Sequence, residues 1–169
     1  NKLGQFLSDP MLRNIFGQKE NKIDIEELMN KQKILMINLS KGKIGEENSS
    51  FFGAMFLTKI KQAGMARAKL EPKDRADFYL YVDEFQNIVT DTFENILSEA
   101  RKYHLNLTVA NQFISQMDDE VKNAVFGNVG TIISFRIGPD DASFIEKQFT
   151  PDFNQNDLIN IPNYHFYIK

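Results

Sequence analysis

Phe78-Tyr-Leu-Tyr-Val-Asp-Glu84 runs five apolar residues straight into two adjacent carboxylates. An apolar run of this length without polar alternation reads as a strand buried on both faces, as in a parallel sheet. Asp83 and Glu84 then stand at its carboxyl end, where open α/β sheets place their ligands. The pairing suits phosphoryl transfer: one carboxylate holds Mg²⁺ through its water shell, and the next orients or deprotonates the attacking water. By itself the pair also describes a solvated turn after a strand. The phosphate cradle that would complete such a site, GxxxxGK followed by Ser or Thr, occurs nowhere in the 169 residues.

Outward from this strand, the pattern alternates strands and helices. A short helix is expected over 9–18, with Asp9 as N-cap, Pro10 at the first helical position and Gly17 as terminator. A second covers 24–31, where Asp24, Glu26 and Glu27 suit the positive end of the helix dipole. Residues 33–39 read as a first buried strand, and Ser49 or Ser50 caps a long helix reaching Arg67. That helix carries Phe52, Met55, Phe56, Ile60 and Ala63 as its apolar stripe. Residues 68–77, charged and holding Pro72, form an exposed connector. After the 78–82 strand, Asp91 and Glu94 resemble a capping box opening a helix to Tyr103. A strand at 105–110 follows, then a helix over 117–126 with Gly127 beyond its end. A strand at 131–137, a helix over 140–148 and a short strand at 164–168 complete the pattern. This order argues one domain spanning 1–169, an α/β fold with a mostly parallel sheet and helices on both faces.

Composition narrows the function classes. No apolar stretch approaches the roughly 20 residues of a membrane helix, and no signal-peptide pattern opens the chain. With no cysteine there is no disulfide or cysteine-based zinc site, which fits a cytoplasmic protein. His104 and His165 are too few and too far apart for a metal cluster. A net charge of −3 is not the basic footprint of a simple DNA-binding module. The chain starts at Asn1 rather than Met, and with the missing phosphate loop this reads as a piece of a longer protein.

Five further residues carry candidate chemistry. Gln112 stands just past the 105–110 strand, and neighbouring strands lie about 4.8 Å apart, so the two strand ends can share one crevice. An amide there can hold the attacking water or sense a γ-phosphate, whereas alone it is a polar loop residue. Arg101 lies near the C-terminal end of its helix, where the dipole alone favours cations; its functional reading is an arginine finger acting on a neighbouring subunit. Arg136 interrupts an apolar strand, as a phosphate sensor, a partnered charge or an edge residue. Lys41 and Lys43, flanking Gly42, fit either a solvated turn or a loop that touches DNA phosphates.

Tyr81-Val-Asp-Glu-Phe-Gln-Asn87, Leu97-Ser-Glu-Ala-Arg-Lys-Tyr103 and Leu107-Thr-Val-Ala-Asn-Gln112 together resemble the TraG/TraD-type coupling ATPases of conjugation and type IV secretion, within the FtsK/HerA superfamily. Ile34 to Gly45, Gly127-Asn-Val-Gly-Thr131 and Phe135-Arg-Ile-Gly138 are similar too. The order and spacing carry the likeness: Arg101 follows Glu84 by 17 residues and Gln112 follows Arg101 by 11. The resemblance implies a RecA-like P-loop NTPase fold, truncated by loss of the phosphate-loop strand. It implies Asp83 as the Walker B magnesium residue, Glu84 as catalytic glutamate, Gln112 as sensor and Arg101 as finger in trans. ATP and Mg²⁺ are the implied cofactors. The implied partners are a hexameric ring of like chains, a DNA or protein substrate and other secretion components, at the cytoplasmic face of the membrane.

Two other readings stand beside it: a non-catalytic assembly module that docks with a partner, and a magnesium-dependent nuclease or phosphatase using Asp83 and Glu84. A missing phosphate-loop strand would leave an unpaired edge on the 105–110 strand. The expectation is that the 131–137 strand collapses onto that edge, or that it pairs between chains.

Overall fold

The computed structural model describes residues 8–89 and 91–169 of the chain, without the side chains of 91, 92, 94 and 95. Two five-residue strands organise it: β1 (Phe78–Val82) and β2 (Leu105–Val109). They pair in parallel, with Phe78 opposite Leu105 and Val82 opposite Val109. This is the expected parallel unit, and the helix between its strands is the expected crossover. That helix, α5 (Asp91–Glu99), tightens into a 3₁₀ turn over Ala100–Tyr103 before β2 begins. The proposed Asp91–Glu94 capping box lies outside the described side chains.

The strands are not buried on both faces. Phe78, Leu80 and Val82 turn inward, while Tyr79 and Tyr81 are 59% and 71% exposed. Along β2, Leu105, Leu107 and Val109 turn inward and Asn106 and Thr108 outward. The long helix α4 (Glu46–Ala66) and α5 pack on the inward face. Met29, Leu57, Ile60, Phe85, Phe93 and Ile96 form the centre of that core, and the Phe85 and Phe93 rings stack 5.4 Å apart. Aromatic residues at alternate positions had hidden the period of two, because tyrosine serves equally on a buried or an open face.

Upstream, the short helices follow their caps. In α1 (Pro10–Phe16), Asp9 Oδ1 accepts from the Met11 and Leu12 amides at 2.8 and 3.3 Å. In α2 (Ile25–Asn30), Asp24 accepts from the Glu27 amide at 3.0 Å. Residues 33–39 form no strand. Ile34 and Met36 are 89% and 90% exposed, so the apolar pattern is present but no neighbouring strand is hydrogen-bonded to it. The segment is tied instead by Ser49, whose hydroxyl donates to the Leu39 carbonyl at 2.6 Å. A one-turn helix, α3 (Lys41–Ile44), follows, and Gly45 at φ 81° breaks it from α4. This left-handed glycine starts α4 at Glu46, so Ser49 lies inside the helix rather than at its cap. The buried stripe shifts accordingly: Gly53, Leu57 and Gly64 are buried, while Met55 and Phe56 are half-buried.

The C-terminal half contains α6 (Asp119–Asn128), α7 (Pro139–Phe149) and α8 (Gln155–Ile159). Gly127 falls inside α6 rather than beyond its end. A capping box that sequence reading overlooked opens α8: Asn154 and Asp157 exchange side-chain and backbone hydrogen bonds. The expected 131–137 strand is reduced to β3 (Ile133–Ser134), which pairs antiparallel with β4 (Tyr167–Ile168). It does not pair with β2, so the expected collapse onto the 105–110 edge does not occur in this chain. A cavity of about 640 Å³ lies between them, lined by Val109, Phe113, Val129, Ile133 and Phe135 among others.

Candidate functional site

The carboxyl ends of β1 and β2 open into a cleft of about 970 Å³. Asp83, Glu84 and Gln112 all line it, as the strand-end reading expected. The parallel pairing brings them together. The Ala110 amide donates to the Val82 carbonyl at 2.9 Å, and the Phe85 amide donates to the Ala110 carbonyl at 3.2 Å. The turn leaving β1 and the loop leaving β2 are therefore stitched to each other directly below the acidic pair.

Asp83 is exposed and Glu84 half-buried. Glu84 takes the left-handed conformation, φ 49° and ψ 44°, as the chain leaves β1 for a 3₁₀ turn over Phe85–Asn87. Its backbone amide donates to Asp83 Oδ1 at 3.0 Å. Its own carboxylate accepts from Gln86 Nε2 at 2.6 Å, while Gln86 Oε1 is buried without a partner. The Asn87 side-chain amide returns to the Glu84 carbonyl at 3.2 Å. The acidic turn is thus fixed by its own two following residues.

Sequence reasoning missed several members of the cleft. Gln86 and Asn87 lie inside the quoted motif, yet their hydrogen bonds depend on the left-handed turn at Glu84. Lys41, read with Lys43 only as a solvated turn or a DNA-phosphate contact, lies at the cleft. Its Nζ donates to Asn87 Oδ1 at 2.9 Å and to Glu46 Oε1 at 2.7 Å. That hydrogen bond holds the Glu46 carboxyl below its ordinary value. Gln116, beyond Gln112, also reaches the lining.

Two other candidates sit elsewhere. Arg101 is exposed on the 3₁₀ turn before β2. A strand of five residues rising about 3.3 Å each puts roughly 17 Å between that end and the cleft. Arg101 is therefore not part of the cleft within one chain. Arg136 is exposed in a bend beyond β3, so it is neither the buried charge of the ion-pair reading nor a residue within an edge strand. It lines the 640 Å³ cavity, whose wall also includes Asn111 and Gln112.

The chemistry of the donors limits what the cleft can hold. Among the described residues no three His, Asp or Glu cluster to hold a metal ion. Asp83 offers one exposed carboxylate, which fits Mg²⁺ carried mostly by water and phosphate oxygens. It does not fit a pair of metals bridged by protein carboxylates, the arrangement a two-metal nuclease or phosphatase needs.

Residues 77–148 match the family model described as the TraM recognition site of TraD and TraG. The match takes in β1, the acidic pair, Arg101, Gln112 and nearly all of α7. The fold is similar to that of the genome packaging NTPase B204 from Sulfolobus turreted icosahedral virus 2, solved in complex with AMPPCP and with ATP-gammaS. The TM-score is 0.59 in both comparisons, at 19% identity over 88% of this chain. This chain spans 66% and 67% of the length of those two chains. No curated protein matches it by sequence. No helix among the described residues is long and apolar enough to cross a membrane.

Proposed function

We propose that this chain is the acidic and sensor half of an ATP-driven translocation motor of the conjugation and type IV secretion kind, moving DNA or a DNA–protein substrate. One observation carries the reading. Asp83, Glu84 and Gln112 meet on one cleft at the carboxyl ends of two hydrogen-bonded parallel strands. The family-model match and the likeness to a packaging NTPase support it.

In this reading Asp83 binds Mg²⁺ through water, and the metal would neutralise charge between the phosphates of ATP. Glu84 accepts the proton of the attacking water, from a carboxylate already aimed by Gln86. Gln112 hydrogen-bonds that water or the γ-phosphate across the narrow gap between strand ends. The cradle for the phosphates comes from a strand and loop outside these residues. The cavity between β2 and the 131–137 segment could receive it, because among the described residues the outer edge of β2 has no ladder partner. Such an insertion would complete a RecA-like sheet. Arg136 would then stand near the bound nucleotide.

Arg101, at the far end of β2, can serve chemistry only on a neighbouring copy, which implies a ring assembly. Mixing subunits in the intact protein tests this. Arg101→Ala subunits retain Glu84, and Glu84→Gln subunits retain Arg101. Mixtures should therefore recover ATP turnover that neither variant shows alone. Absence of rescue at every mixing ratio contradicts the ring with a finger in trans.

A second reading has one observation in its favour. The matching model is described as a recognition site for TraM, so the segment could serve as a docking module for a partner protein rather than as a catalytic part. Under it, Glu84→Gln would weaken no nucleotide chemistry, and the mixing experiment would return wild-type turnover from both variants.

A further inference from the structure

Asp141 stands in the first turn of α7 with only 6% of its surface exposed. A buried carboxylate is unfavourable unless hydrogen-bond donors replace its lost water. Its donors come from far along the chain. Oδ2 accepts from the Ile114 amide at 3.1 Å, and Oδ1 accepts from the Ser115 amide at 2.9 Å. Both oxygens are thus used on consecutive amides of the 3₁₀ turn Ile114–Gln116, with the positive end of α7 behind them. The neighbouring Asp140 is exposed, so the contact belongs to Asp141 and not to acidity of the helix start in general.

The turn so held is the exit of β2. Its near end is pinned where Ala110 donates to Val82 at 2.9 Å. Its far end is pinned by Asp141. Gln112 lies between the two anchors, and Gln116 closes the turn; both line the cleft. We propose that Asp141 is a positioning residue that fixes the path of loop 111–116, and with it the placement of Gln112, so that α7 is mechanically joined to the cleft. This inference rests on the sensor role proposed above for Gln112. It extends that role to Asp141, which does not line the cleft itself but borders the neighbouring cavity.

Asp141→Asn keeps the size of the side chain but turns an amide NH₂ toward N–H groups that need acceptors. In the intact protein, hydrogen exchange at the Ile114 and Ser115 amides should quicken by about tenfold or more, with α4 and β1 amides still protected. ATP turnover should fall on the order of tenfold, as for a misplaced catalytic group, with KM for ATP little changed. Asp141→Glu, which retains the acceptors, should recover part of both losses. Combined with Gln112→Ala, Asp141→Asn should slow turnover by no more than about twofold beyond Gln112→Ala alone. Unchanged exchange at the two amides overturns the proposal, as do losses that multiply in the double variant. If Gln112→Ala leaves turnover at the wild-type level, the sensor role fails instead. The exchange rates then decide alone: faster exchange upholds Asp141 as the anchor of the loop, and unchanged exchange removes it.

Discussion

Glu84 occupies a left-handed backbone position that a glycine would take without strain, whereas a residue with a β-carbon loses about 1 kcal/mol or more there. Glutamate at such a position is explained by its carboxylate, which the turn directs into the cleft beside Asp83. Arg67 shows the opposite case, a costly residue remote from the cleft. Its side chain is fully buried at the end of α4, one nitrogen donating to the Ala76 carbonyl, and Nε and the other terminal nitrogen lack partners. Burial pushes the guanidinium below its ordinary pKa, Arg75 adds to this and Asp77 opposes it. Arg67 therefore contributes through the volume of its stem rather than its charge. Arg67→Met should cost about 1 kcal/mol or less in urea unfolding, and Arg67→Ala about 2–5 kcal/mol from the cavity left behind. Equal losses for the two would show that the charge itself holds the connector. Sequence reading singled out Asp83, Glu84 and Gln112 because they stand at or just past the carboxyl ends of two strand-length runs, and the structure brings the three to one cleft. It missed Asp141 because its partners are 26 and 27 residues away, a distance no local pattern encodes. It missed Arg67 as a buried group because a cation in the last turn of a helix is ordinarily a solvated one.

At the scale of elements, the link between α4 and the acidic turn is a close approach at Gly53. A β-carbon there would overlap Ile88 Cγ2 and stand 2.7 Å from Ile88 Cβ. Ile88 directly follows the 3₁₀ turn that fixes Glu84, and its amide donates to Phe85 at 3.0 Å. Gly53→Ala should therefore cost about 1–3 kcal/mol by overpacking. An unfolding midpoint equal to that of the parent chain would mean that the turn yields freely. The parallel pair β1–β2 was legible because both runs are of strand length, Phe78–Val82 apolar throughout and Leu105–Val109 alternating, and because a helix with clear periodicity separates them. The 33–39 and 131–137 segments are also rich in apolar residues but form at most two residues of strand. Strand formation needs a hydrogen-bonded neighbour, which propensity cannot supply. The caps of α1 and α2 were legible since Asp9 and Asp24 act within three residues. The start of α4 was not, since it depends on the backbone of Gly45 rather than on a capping side chain.

Taken as a whole, the chain exposes several apolar side chains beside its two small sheets. Ile34, Met36 and Tyr81 are exposed, and Ile133, Phe135, Phe166 and Ile168 cluster on and beside the β3–β4 ladder. Apolar surface gathered this way marks faces meant for further contact. The edge of β2, which has no ladder partner among the described residues, and the cavity beside it belong to the same pattern. The proposed motor accounts for all three, with a phosphate-loop strand in the cavity and neighbouring copies against the open faces. Its central claim is that the cleft hydrolyses ATP with Glu84 as the base. The most direct measurement is ATP turnover and ATP affinity of the intact protein with Glu84→Gln, which preserves size and the left-handed turn but cannot take a proton. Turnover should fall about 100-fold or more, since removing a general base costs on the order of 10²–10⁴-fold, while ATP affinity stays close to that of the parent. Turnover equal to that of the parent would contradict the account.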